Sequence, residues 1–207
     1  MKYKLTEETK EIFGITLHRI VCVTAFGTIS AGDVGGWVES EMNLDQSGDA
    51  WVSGDARVYG DARVSGNAEV SGDARVSGDA RVSGNAWVYG DARVSGNARV
   101  SGDARVSGDA RVSGDARVYG DAEVSGNAEV SGNADFIVLK NNWSSGRYFT
   151  YTRSNEKWKV GCFYGTGAEL IAKAYKDSEL SGKCYEASVN YVETIYKILE
   201  ENEKNAD

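Results

Sequence analysis

The chain of 207 residues is long enough for one or two domains. Its net charge of −8, from 23 basic and 31 acidic groups, argues against general binding to nucleic acid or anionic membrane, because both draw their affinity from positive charge. Three cysteines, Cys22, Cys162 and Cys184, and one histidine show no metal-ligand spacing, so no metal site is expected and the cysteines read as reduced, packed thiols.

The first segment, residues 1–46, begins with the polar run MKYKLTEETKEIF. Its apolar stretch, IVCVTAF, is too short for a signal core or a membrane span; a soluble protein of the cytoplasm is expected. FGITLHRIVCVTAF has strand-like composition, and SAGDVGGWVES reads as a glycine-rich turn carrying Trp37 and Val38. An open solenoid end exposes unpaired backbone, so this segment is expected to act as a β cap for the repeats beyond residue 46.

Residues 47–136 are fifteen hexapeptides without insertion, as in SGDARVSGDARV at 101–112. The second position is always Gly, the fourth always Ala, and the sixth Val except for Phe136. A Val followed four residues later by Ala supplies one large and one small inward group per repeat. Gly followed by Asp or Asn is corner chemistry, because these residues tolerate positive φ best. All nine basic residues of this segment are Arg, against fourteen acidic ones. A longer period overlies the short one: residues 59–88 and 89–118 differ only at Glu69/Arg99, Asn85/Asp115 and Trp87/Arg117. The duplicated unit is therefore thirty residues.

Residues 137–207 change character. DFIVLK, RYFTYTR and KWKVGCFY read as three strands. Thr166-Gly167-Ala168-Glu169 is a capping box that opens a first helix. A second begins near Lys183, where Tyr185, Val189, Val192, Tyr196 and Leu199 recur at spacings that bury one stripe. A small α+β module of three strands and two helices is expected.

The hexapeptide pattern resembles the hexapeptide-repeat left-handed β-helix family, in which three hexapeptides make one triangular coil of eighteen residues. The resemblance implies a mainly β fold: a three-sided left-handed parallel β-helix of about five coils, with an N-terminal β cap (1–46) and a C-terminal α+β domain (137–207) flanking the repeats (47–136). The Lys-Tyr-x-Leu start and the Gly-Gly-Trp-Val motif are similar to the N-termini of uncharacterised bacterial and prophage members. Those are often labelled putative acetyltransferases by fold alone. The C-terminal module resembles one in hypothetical proteins of phages and prophages. Family enzymes use a histidine base on the coil, yet the repeats hold none; His18 lies outside them and reads as structural. No enzymatic activity, catalytic residue or cofactor is expected, and a degenerate acyltransferase is the enzymatic alternative.

With an eighteen-residue coil, outward residues form ladders. Arg57, Arg75, Arg93 and Arg111 stack on one face above Glu129, and Arg63, Arg81, Arg99 and Arg117 on another above Asp135. The first row is the candidate anion site, since Arg suits phosphate recognition. The competing reading, a solvated charge lattice with an acidic or amide neighbour for every Arg, is preferred. In the C-terminal module Trp143, Tyr148, Tyr151, Trp158 and Tyr164 are the candidate partner-binding residues; alternation along strands requires about half of the module's aromatics to be core instead. The reading that results is a non-enzymatic structural or adaptor protein of phage or prophage origin, acting in the host cytoplasm. The solenoid is its scaffold and the module engages a partner protein. An inhibitor of a host defence system is the alternative, and the family resemblance implies a homo-oligomer, trimer or dimer.

Overall fold

The computed structural model describes residues 1–206. The chain divides into two units, residues 1–133 and Ala134 onward.

The first unit is a β-solenoid of about five turns. Two long strands, β1 (Tyr3–Ile12) and β2 (Ile15–Cys22), form an antiparallel hairpin, and β3 (Val34–Val38) pairs antiparallel with β2. Then come fourteen two-residue strands, β4 to β17, from Trp51–Val52 to Glu129–Val130. Each from β4 to β14 pairs in parallel with the strand eighteen residues on, as Trp87 with Arg105 and Arg93 with Arg111. The result is three parallel sheets along the axis. The repeated Ala and Val, from Ala50 to Val130, are all inside, at 0–1% exposure. Branched Val stacks on Val from turn to turn, and each buried Val contributes roughly 1.5–2 kcal/mol of apolar burial.

Backbone hydrogen bonds give the solenoid a polarity. Each strand N–H points toward the following turn, as Arg57 N to Ala74 O (2.9 Å) and Tyr59 N to Val76 O (3.1 Å). Carbonyls of the first turn consequently point out of the N-terminal end, and burying them without donors costs free energy. The first 46 residues supply those donors. Backbone N–H groups of Trp37, Glu39 and Asp45 reach Ala56, Val58 and Val64. The GGWV segment is thus strand, not turn, and it extends the sheet that carries Arg57, with Trp37 beside Arg57 and Val38 beside Val58. Gly35 and Gly36 are there for close approach: a Cβ on Gly36 would lie 2.6 Å from Val52 Cγ1 and 2.8 Å from the Ala56 carbonyl.

The fifteenth hexapeptide leaves the coil. Asn133–Asp135 is a single 3-10 turn and not a strand, and Ala134 is exposed where every earlier repeat Ala is buried. Asn133 Oδ1 instead accepts the Arg117 N–H at 3.1 Å. The expected domain break after Phe136 therefore falls three residues earlier, and Phe136 starts the next sheet.

The second unit is a four-stranded antiparallel meander, β18 (Phe136–Lys140), β19 (Tyr148–Thr152), β20 (Lys157–Val160) and β21 (Phe163–Gly165), followed by α1 (Gly167–Asp177) and α2 (Glu179–Ala206). The expected single strand KWKVGCFY is two, because Gly161 takes φ +54° and turns the chain. The capping box forms: Thr166 Oγ1 accepts the Glu169 N–H (3.3 Å) and Glu169 Oε2 accepts the Thr166 N–H (2.7 Å). The second helix starts four residues before Lys183, since Ser178 both ends α1 and accepts the Ser181 N–H at its hydroxyl (3.1 Å). One sheet face and both helices enclose Phe149, Trp158, Leu170, Ala174, Tyr185, Val189, Val192 and Tyr196. Among the described residues no helix is long and apolar enough to cross a membrane.

Candidate functional site

The candidate anion row exists as a geometric object. Arg57, Arg75, Arg93 and Arg111 are in register on one sheet, their strands at the ordinary spacing of roughly 4.8 Å. Arg57 and Arg75 are half-buried, with Arg57 Nε itself buried and without a hydrogen-bond partner, and Arg93 and Arg111 are exposed. Close ion pairs form over only part of the row. Arg111 meets Glu129 at 2.9 Å, and on the neighbouring face Arg105 meets Glu123 at 3.7 Å. Among the described residues, however, no carboxylate lies within 4 Å of Arg75 or Arg93. The face can thus offer a line of guanidinium donors to an anion, bordered by columns of carboxylates.

The corner residues differ from expectation. Every corner Gly from Gly48 to Gly126 has positive φ, between +59° and +73°, while no corner Asp or Asn does. Glycine alone takes the left-handed conformation. Where an Asn is present, corner side chains bond along the stack: Asn67 Nδ2 donates to Asn85 Oδ1, Asn85 Nδ2 to Asp103 Oδ1, and Asn97 Nδ2 to Asp115 Oδ1, each at 3.1 Å. The exchange of Asp for Asn is therefore not indifferent, because the amide supplies the donor that a neighbouring carboxylate lacks. Asn85→Asp is expected to cost about 0.5–1.5 kcal/mol by replacing one such bond with a like-charge contact. A melting series should show the deficit shrinking as salt is added; a deficit indifferent to salt would refute the ladder as its cause.

His18 sits on β2 between β1 and β3, with Nδ1 3.3 Å from the Thr6 carbonyl. It is a hairpin residue.

The five aromatic candidates of the second unit separate into three groups. Trp158, 1% exposed, is core and is withdrawn as a contact residue. Trp143 and Tyr151 pack against the core: Trp143 sits edge-on to Phe149 and Tyr185, and Tyr151 lies 5.1 Å from Trp158 and 5.2 Å from Tyr196 by ring centroids. Burial, followed by the charges of Glu156, Glu193 and Glu200, raises the Tyr151 phenol above its ordinary value, and burial pushes Tyr196 up to about 12. Only Tyr148 (39% exposed) and Tyr164 (41%) face outward. Tyr148 lies under the Lys140 ammonium at 5.1 Å, and Tyr164 accepts a hydrogen bond from Asn155 Nδ2 at 3.1 Å. The five do not form one patch: strand alternation sets Tyr148 and Tyr164 on the face opposite Tyr151 and Trp158, and Trp143, in the β18–β19 connection, packs on the core.

Sequence reasoning missed the side chains that terminate the solenoid. Lys2 is 7% exposed, and its Nζ donates to the carbonyls of Ala50 (2.8 Å) and Gly48 (3.3 Å). Burial lowers the pKa of that ammonium, while Asp45 and Asp49 pull it back. Asn43, fully buried, divides its amide between Gly60 O and Ala62 O, both at 2.9 Å. Arg19 reaches Gly54 O at 3.0 Å, and Tyr3 donates to Leu44 O at 2.6 Å. No local pattern marks these residues; their partners lie seventeen to forty-eight positions away.

Fold and surface together define a β-solenoid protein of hexapeptide repeats with a separate α+β domain. The repeats are similar to the YdcK Beta solenoid repeat, which matches at 50–66, 56–72, 74–90, 86–102, 92–108, 98–114, 104–120 and 110–126. All of these matches lie inside the solenoid. No curated protein matches the chain.

Proposed function

We propose that the protein is a non-enzymatic scaffold, of phage or prophage source, in which the solenoid is a spacer and the C-terminal domain engages a partner protein. One observation carries the spacer reading. The thirty-residue duplication is out of step with the eighteen-residue coil, so equivalent residues of successive copies fall on different sheets. Tyr59, Tyr89 and Tyr119 precede Arg63, Arg93 and Glu123, which belong to three separate sheets. Duplication of this kind lengthens a rod; it does not preserve a site built across turns. The C-terminal domain holds large apolar residues open to solvent, among them Leu180 (62% exposed), Tyr191 (56%) and Ile198 (52%), as the solenoid unit does at Phe13 (86%), Met42 (63%) and Tyr119 (65%).

Deletion of residues 71–88 removes one turn and leaves every remaining inward Val stacked on a Val, with Arg57 and Arg63 again beside Arg and Glu69 beside Arg105 in place of Trp87. The shortened chain is expected to fold with a melting temperature within a few degrees of the parent, as stacked repeats do when an interior unit is lost. Affinity capture from host lysate with the full chain, the shortened chain and residues 134–207 should then yield the same partner. A partner retained by the full chain but lost by the shortened one would overturn the spacer reading and return the arginine row to first place.

A further inference from the structure

A cavity of about 220 Å³ opens in the second unit, where one end of the sheet meets α1 and the start of α2. It is smaller than the roughly 300–1,000 Å³ of sites that take drug-sized ligands, so it suits a smaller group. Its floor is apolar. Leu170 and Ala174, buried on one face of α1, line it together with Val160 and Phe163 of the β20–β21 hairpin.

The deep polar groups of the cavity are Asn141 and Tyr185. Asn141, 2% exposed, is saturated: Nδ2 donates to Ser144 Oγ at 2.9 Å and to the Tyr185 hydroxyl at 3.0 Å, and Oδ1 accepts the Ser144 N–H at 2.9 Å. The Tyr185 hydroxyl, in a residue only 8% exposed, thus accepts one bond, while its own proton has no acceptor among the described residues. A buried donor left over in this way costs free energy and calls for an acceptor that the chain does not supply.

The rim repeats that imbalance. Arg147 and Lys173 line it, and among the described residues neither side chain has a hydrogen bond or an ion pair. The Arg147 guanidinium lies over Gly161, where a Cβ would come within 3.0 Å of Nη1, which sets it beside Val160 at the hairpin end. Asp177 is the one carboxylate in the lining, and no ion pair joins it to Lys173 four residues back. Two cations and a spare hydroxyl against one carboxylate leave the wall short of acceptors, with a single net positive charge that matches a monoanion.

We infer that this cavity binds a carboxylate carried on a short apolar group. Arg147 and Lys173 hold the charge, the Tyr185 hydroxyl donates to one oxygen, and Leu170, Ala174 and Phe163 receive the apolar part. Such a carboxylate has two sources, a free organic acid and the last residue of a partner chain. The second deepens the adaptor reading and rests on it; the first stands without it.

NMR titration of the full chain with isocaproate tests the site, with isocaproamide as its neutral twin and acetate as the bare head group. The acid should shift the amides of Arg147 and Lys173 with a Kd of about 1 mM or tighter, and the amide and acetate should bind at least about tenfold more weakly. Arg147→Gln and Lys173→Gln change exposed, unpaired side chains, so each should weaken the acid by about tenfold with an unchanged melting curve. Isocaproamide binding as tightly as the acid, full affinity in Arg147→Gln, or no shift at about 10 mM acid would overturn the inference. Two peptides ending in Leu, one with a free and one with an amidated C-terminus, separate the sources. Tighter binding of the free-ended peptide than of the acid places the carboxylate on a chain end, and the reverse order places it on a small molecule. The two readings fail separately. A chain that binds the acid and captures no lysate protein keeps the cavity and sinks the adaptor role. A chain that ignores every probe and still captures a protein through residues 134–207 does the reverse.

Discussion

Gly84→Ala is expected to lower stability by about 2–5 kcal/mol, read as a fall in the thermal midpoint of the solenoid. Gly84 has φ +70°, and an alanine Cβ there would lie 2.9 Å from the Gly102 nitrogen and 3.0 Å from its carbonyl oxygen. Two costs add. Left-handed backbone costs a non-glycine residue about 1–2 kcal/mol, and a collision with backbone, which cannot rotate away, adds about 1–3 kcal/mol of overpacking strain. Gly120→Ala separates them, since Gly120 has nearly the same φ, +65°, with nothing within 4 Å of its prospective Cβ. It should lose only the conformational part. Equal losses at the two positions would show that stacking proximity is not what demands glycine.

Asn43→Asp is expected to be the most damaging single change in the N-terminal cap. The native amide donates to two carbonyls of the first turn at 2.9 Å each. Asn43→Ala leaves both without a donor, a loss of about 2–4 kcal/mol at roughly 1–3 kcal/mol per orphaned group. Asn43→Asp keeps the shape but turns a carboxylate toward two carbonyl oxygens, so at pH 7 it should lose at least as much. Its folded-state pKa must then lie above the unfolded value of about 3.9. The penalty is full above that raised pKa and is relieved as pH falls through it, when the acid regains one donor. Amide exchange should locate the damage in the first turn, with the Arg63 and Ser65 amides, bonded to Ala80 and Val82, exposed earliest. An Asn43→Asp chain as stable as the parent at neutral pH would mean that these carbonyls need no donor.

These two positions differ in how far the sequence announces them. Gly84 belongs to a period that recurs without exception, and each recurrence poses the same local problem, so the inward Ala and Val are legible from spacing, and the sheets and stacked arginines from spacing together with the eighteen-residue turn that the resemblance implies. The C-terminal strands and helices are legible for the same kind of reason, alternation in Tyr148–Thr152 and the 3.6-residue stripe of α2. Errors arose where a pattern has two physical readings. Gly35 and Gly36 suggested a turn and serve close packing. Corner Asp and Asn suggested tolerance of positive φ, but the glycines take it and Asn bonds along the stack. Trp158 suggested a contact surface and is core, because the side of the sheet that the helices cover is set by the fold.

The sequence by itself determined the six-residue period, the Val and Ala interior and the presence of a different domain after the repeats, while the eighteen-residue turn, and with it the phase of the arginine rows, came from the resemblance to hexapeptide-repeat β-helices. The period and the interior come from a repeated pattern whose every contact is with a copy of itself. Tertiary structure alone decided how the coil ends and which surfaces stay open. Lys2 reaching Ala50, Asn43 reaching Ala62 and Asn133 reaching Arg117 are single, non-periodic contacts made once at an edge. A period describes what neighbours share, and at the ends of a solenoid the neighbour is missing.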